Sequence, residues 1–105
     1  YPPFHKMTAL RIQSIELEKV KHISHALTQR ALKLKKRYPD FLEVEVLGPA
    51  SAPIAKLRNQ FRYHLLLKSH NSKLLNQFAR RLIGNSKWIP SQAKVIVDVD
   101  PLNLL

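Results

Sequence analysis

Three groups of basic side chains are the residues in this sequence best suited to chemistry, and that chemistry is ionic rather than covalent. Arg30, Lys33, Lys35, Lys36 and Arg37 crowd one short stretch. Lys56, Arg58 and Arg62 form a second group, interleaved with Phe61 and Tyr63. Cations in such a set neutralise phosphates while exposed rings stack on unpaired bases. The competing reading gives Phe61 and Tyr63 to the core, because they alternate with Arg62 along an extended segment. Lys68 and Lys73 flank a third position, followed by Arg80 and Arg81. Asn71 can cap a helix there, and the backbone N–H groups of a helix start already favour an anion. A phosphate or a carboxylate fits that position. For the first group the plain alternative is a solvated helix end whose lysines complement the helix dipole.

Covalent chemistry lacks its parts. With only two glycines, Gly48 and Gly84, there is no phosphate-cradling loop, and no nucleophile elbow is present. Asp98 and Asp100 alternate on one segment and so share a face. A carboxylate pair can exchange protons or hold a metal, but no third acidic residue clusters with them in sequence. They are read as partners for nearby Lys or Arg, or as charges that blunt the sheet face. His22 and His25 stand three apart, a spacing that can bind zinc, yet a tetrahedral site needs more ligands. His5, His64 and His70 are scattered, and exposed histidines are the expectation. The sequence holds no cysteine, which excludes disulfides, a zinc knuckle and a thiol nucleophile. That fits a reducing compartment. The expectation is a fragment with no catalytic residues, no metal and no cofactor of its own.

The elements that position the basic groups follow from composition and periodicity. The chain has 105 residues, 45% of them hydrophobic, which suits one domain with one modest core. Lys and Arg total 18 against 7 Asp and Glu, a net charge of +11. So much charge on a small domain repels itself unless a polyanion is near. DNA, RNA, an anionic membrane or an acidic protein tail would each serve, and a basic folded domain points first to nucleic acid. No apolar run approaches the ~20 residues that span a bilayer. No signal peptide is visible, and the start at Tyr1-Pro2-Pro3-Phe4 without Met suggests a domain taken from a longer protein.

Residues 1–6 read as an extended lead-in, since two prolines forbid helix. Met7 to Ile15 reads as a strand with Thr8, Leu10, Ile12 and Ser14 on one face. Glu18 to Arg37 reads as a helix with the stripe Val20, Ile23, Leu27, Ala31 and Leu34. It is acidic at its start, basic at its end, and stopped by Tyr38-Pro39-Asp40. Glu43 to Leu47 reads as a second strand, broken by residues 48–53 and resumed from Ile54 to Leu57. Arg58-Asn59-Gln60 reads as a turn tip and Phe61 to Lys68 as a third strand. A second helix carries Leu74, Leu75, Phe78, Ala79 and Leu82 and ends at Gly84, expected in the left-handed helical conformation. Ser86 to Ser91 connects to a last strand, Ala93 to Asp100, ended by Pro101. The order β-α-β-β-α-β predicts an α+β, ferredoxin-like (ribosomal-protein-like) antiparallel sheet with two helices on one face and a protruding β-hairpin.

The opening Tyr1-Pro2-Pro3-Phe4, the stretch Val46-Leu47-Gly48-Pro49-Ala50 with Ala52-Pro53-Ile54-Ala55-Lys56-Leu57-Arg58-Asn59-Gln60-Phe61-Arg62-Tyr63, the run Leu65-Leu66-Leu67-Lys68 and the closing Val97-Asp98-Val99-Asp100-Pro101 with Leu104 together resemble the C-terminal domain of primosomal protein N′, the bacterial replication-restart DNA helicase family. The resemblance covers essentially the whole chain. It implies a parent that unwinds DNA 3′→5′ with ATP, recognises stalled and branched forks, and keeps its ATP and zinc sites in other domains. For this domain it implies contact with single-stranded or forked DNA, with the acidic tail of single-stranded-DNA-binding protein, and with the helicase core of the same chain, in a bacterial, cytoplasmic, nucleoid-associated setting.

The residues expected on DNA are Lys56, Arg58, Arg62 and Tyr63 of the hairpin and Lys35, Lys36 and Arg37 of the first helix. Lys68 and Lys73 are expected at the tail. Two alternatives stand beside this: a protein-interaction module with little direct DNA contact, and an RNA-binding ribosomal-type domain, which the topology alone would allow.

Overall fold

A computed structural model describes residues 5–100, with side chains for all of these but 53–55. The expectations for Tyr1–Phe4, for Pro101 as a strand stop and for Leu104 lie outside the described residues. Within them the order is β1 (Lys6–Ser14), α1 (Leu17–Arg37), a 3-10 turn (Pro39–Glu43), β2 (Glu45–Leu57), β3 (Gln60–Ser69), α2 (Ser72–Ile83) and β4 (Ala93–Val99). The strands form one sheet in the order β2-β3-β1-β4, every neighbouring pair antiparallel. This is the α+β, β-α-β-β-α-β arrangement the periodicity predicts.

Alternation sets the inner face of the sheet. Thr8, Leu10, Ile12 and Ser14 of β1 are buried, beside Leu65, Leu67 and Ser69 of β3. From the helices Val20, Ile23, Leu27 and Ala31 meet Leu75, Phe78, Ala79 and Leu82. Leu34 and Leu74 pack at the margin of this core. Phe78, fully buried, meets Phe41 edge-on with centroids 5.1 Å apart. Phe41 comes from the 3-10 turn, so Tyr38-Pro39-Asp40 not only stops α1 but also returns the chain into the core.

Several boundaries differ from the sequence reading. β1 stops at Ser14, and Ile15 is 61% exposed. Lys6 already pairs with Ser69, so the strand begins inside the expected lead-in. Glu43 and Val44 belong to the 3-10 turn and its cap, with Val44 fully buried. Residues 48–53 do not interrupt β2. The strand continues through a cis Gly48–Pro49 peptide, with register shifts between Leu47 and Ala50 and between Ser51 and Lys56. An edge strand has one neighbour only, so proline's missing N–H and the extra bulge residues are tolerated there.

The hairpin turn is Arg58-Asn59, with φ of 54° and 64°, as a two-residue primed turn requires. Its projection is shorter than expected. β1 accompanies β3 as far as Ser14 opposite Phe61, so only Leu57 to Gln60 reach beyond it. Gly84 ends α2 at φ 63° and ψ −136°, which is not the left-handed helical conformation but a region still more restricted to glycine. Val97 and Val99 pair with Leu10 and Thr8 and so share the helix side of the sheet, yet they are 44% and 56% exposed. A groove of about 560 Å³ separates them from Ala79 and Ile83 of α2.

Candidate nucleic-acid interface

At the end of α1 the chain leaves the helix at Tyr38, whose N–H still donates to Leu34 O at 2.9 Å. The Tyr38 ring lies under two guanidiniums: Arg81 at 4.6 Å and Arg37 at 5.5 Å from its centroid. Arg81 Nη1 also donates to the Tyr38 hydroxyl at 3.1 Å. Beside them a cleft of about 450 Å³ is bounded by Tyr38, Asp40, Gln77, Arg80 and Arg81. Lys36 and Arg37 are exposed and Lys35 half-buried. The first and third basic groups of the sequence therefore meet in part, through Arg81. The one signal for this was the aromatic residue at the helix stop, a flat surface on which arginine stacks.

At the other basic group the side chains divide between surfaces. Tyr63 lies opposite the fully buried Ile12, and Phe61 opposite the buried Ser14. Both rings pack against the core, on the helix side. Arg62, opposite Gln13, and His64, opposite Arg11, occupy the outer face. Tyr63 thus shares no face with Arg62. Lys56, opposite Phe61, places its Nζ 5.0 Å from that ring's centroid. Arg58 is exposed in the turn and lines a cleft of about 340 Å³ with Gln13, Leu57, Gln60 and Arg62. His64 is held below the ordinary histidine range, first by burial and then by the charges of Arg11 and Arg62.

At the start of α2, Asn71 Oδ1 accepts the Leu74 N–H at 3.1 Å, the expected cap. Lys73 is exposed and lines a cleft of about 350 Å³ with Ser72, Asn76, Gln77 and Arg80. Lys68 is not among the residues lining that cleft. It lies on β3 opposite Glu45 and Met7, so the two lysines expected together occupy different surfaces.

Arg30 serves the fold. Its Nε donates to Leu82 O at 2.6 Å, and its guanidinium stands 4.8 Å over Trp88. Trp88 Nε1 donates to Ile83 O at 2.8 Å. Together the two close the last carbonyls of α2, a task the sequence reading assigned to neither. Asp98 accepts from Arg11 at 3.0 Å, the ion pairing expected of it. Asp100 is tied to Met7 through backbone and carboxylate, at 2.7 and 3.4 Å. His22 and His25 are exposed. His5 and His70 place their Nε2 atoms 3.0 Å apart, and His5 is held below its ordinary range by burial first, then by His70 and Lys68. Among the described residues no three side chains are gathered to hold a metal ion, and no helix is long and apolar enough to cross a membrane.

Comparison with solved structures shows the fold. A de novo designed protein, Foldit4, matches with a TM-score of 0.61 at 19% identity, over 92% of this chain and 97% of its own. The designed ferredoxin-fold protein LFR1 1 matches with a TM-score of 0.55 at 10% identity, over 92% and 85%. Curated relatives are replication restart proteins PriA. The protein of Rickettsia prowazekii is 29% identical over 100 residues, 95% of this chain and 14% of the relative. That of Treponema pallidum is 30% identical over 105 residues, 100% and 15%, and that of Bacillus subtilis 21% identical over 100 residues, 95% and 12%. The chain thus spans about a seventh of the length of these relatives. The profile described as "Primosomal protein N C-terminal domain" matches residues 1–102, and on that match the chain belongs to the primosomal protein N C-terminal domain family.

Proposed function

We propose that this chain is a non-catalytic module that binds single-stranded or forked DNA and docks partners for a replication-restart DNA helicase. The carrying observation is the meeting of Arg37 and Arg81 on Tyr38, beside Lys36 and Arg80, in a domain of charge +11. Guanidiniums fixed on a ring lose little further freedom when they take a phosphate. In this reading unwinding, ATP and zinc belong to other domains of the parent chain, whose helicase core is a second contact. Its setting is the bacterial cytoplasm at the nucleoid. The relatives' name, replication restart, supports a DNA substrate.

A second reading is supported by the Lys73 cleft. A lysine in the first turn of α2, with Arg80 across the same cleft, suits the carboxylates of an acidic tail such as that of single-stranded-DNA-binding protein. The two readings separate by titrating the chain with forked DNA, single-stranded DNA, RNA and an acidic peptide in parallel. DNA binding that survives Lys73→Ala, with peptide binding weakened, supports both sites. Peptide binding without DNA binding reverses their order.

A further inference from the structure

Tyr38 and Arg58 stand at opposite ends of the domain. α1 starts beside Ser14, whose Oγ accepts the Glu16 N–H at 3.1 Å, and Ser14 pairs with Phe61 at the base of the hairpin turn. The helix then runs its 21 residues away from that end. At about 1.5 Å per residue it carries Arg37 and Tyr38 about 30 Å from its start, in a domain whose longest dimension is 37 Å. The two exposed cationic sites are therefore separated by nearly the full length of the molecule.

We infer that the Arg37–Tyr38–Arg81 stack is a second phosphodiester-binding site, independent of the Arg58 turn, so that one domain grips two nucleic-acid segments at once. The inference rests on the nucleic-acid reading above and deepens it. The stack holds two guanidiniums at 5.5 and 4.6 Å from one ring, with Arg81 further fixed on the ring's hydroxyl. Held over the ring, the two guanidiniums keep the N–H groups other than the one Arg81 donates to the hydroxyl for phosphate oxygens, which they can match bidentately. Arg80 lines the cleft beside the stack, Lys36 is exposed one position before Arg37, and Asp40 is the acidic residue bounding the cleft. A ridge of several cations facing one carboxylate suits a chain of phosphates better than a single carboxyl group.

The separation gives this a consequence. DNA advances about 3.4 Å per base pair, so about nine base pairs lie between the two sites. A shorter duplex touches one site only, whereas two arms of a branched molecule can each find their own. Preference for branched DNA then arises from spacing, with no base read.

The test uses a DNA stem-loop with a stem of about six base pairs, about 20 Å long. Its binding stoichiometry to the unsubstituted chain is measured by native mass spectrometry. Two stem-loops per chain are expected, and one for Arg37→Ala/Arg81→Ala. One is likewise expected for Lys56→Ala/Arg58→Ala. Should Arg81→Ala lower the folded fraction by circular dichroism, Arg37→Glu on an exposed side chain addresses the same site. Binding of one stem-loop per chain, lost with Lys56→Ala/Arg58→Ala and kept with Arg37→Ala/Arg81→Ala, overturns the second site and leaves the nucleic-acid reading standing. Loss of an acidic peptide but of no DNA in Arg37→Ala/Arg81→Ala assigns the stack to a protein partner and overturns the inference. Absence of any DNA binding by the unsubstituted chain overturns the underlying reading itself.

Discussion

Gly84 and Arg30 are fitted to one another: a Cβ on Gly84 would stand 2.9 Å from Arg30 Nη2, the arginine whose Nε closes α2 at Leu82 O. Gly84 also holds φ 63° with ψ −136°, which side chains rarely adopt. Gly84→Ala is expected to cost about 1–3 kcal/mol, mostly backbone strain, because the guanidinium tip can move aside. Urea unfolding reads this as a lower midpoint with an unchanged slope.

Arg30→Ala separates structural charge from binding charge. It removes a charge-assisted hydrogen bond to Leu82 O and the stack on Trp88. A loss of about 1.5–3 kcal/mol in stability is expected. The salt dependence of DNA binding is expected to match the unsubstituted chain. A shallower dependence would place Arg30 on the DNA.

Phe78→Ala reports on the core. The ring projects from α2 into the core, fully buried and edge-on to Phe41. Truncation of a buried phenylalanine costs about 3–5 kcal/mol. For a small domain that is a large share of total stability, and thermal unfolding is expected to start far lower.

Much of this core was legible in the sequence because its strands and helices each repeat at their own period. Thr8, Leu10 and Ile12 alternate, and Val20, Ile23, Leu27 and Ala31 recur at helical spacing, so each announced its inner face. β2 was not legible past Leu47. Its continuity depends on pairing with β3 through two register shifts, a tertiary fact that local signals such as Gly48-Pro49 oppose. The 3-10 turn was hidden for a similar reason: its proline reads as a stop, while the burial of Phe41 and Val44 is decided by Phe78 and its neighbours. The basic groups were visible as clusters, but their joining was not. Arg81 and Tyr38 are 43 residues apart, and nothing local links them. Alternation did allow Phe61 and Tyr63 to be core residues, and the buried Ile12 opposite Tyr63 selects that face.

His64 links stability to pH. Its folded pKa lies below the ordinary 6.5, through burial first and then Arg11 and Arg62. The unfolded chain therefore binds the proton more readily, and stability rises with pH across this window. Its contribution is complete above about 6.5 and is lost as pH falls toward the lowered folded value. Melting temperatures measured from pH 7.5 down to 5 are expected to fall less in His64→Gln than in the unsubstituted chain. Parallel curves would remove His64 from the account.

The central claim is that exposed cations bind nucleic-acid phosphates, and the affinity for forked DNA across a series of salt concentrations tests it most directly. Each neutralised phosphate contributes about −0.9 for duplex, or about −0.7 for a single strand, to the slope of log affinity against log salt. The expected result is a steep linear decline that becomes shallower by about 1.4–1.8 in Arg37→Ala/Arg81→Ala, with little change when the base sequence is permuted. A slope that the substitutions leave unaltered would remove only the Tyr38 site from the interface; a flat response would contradict the claim.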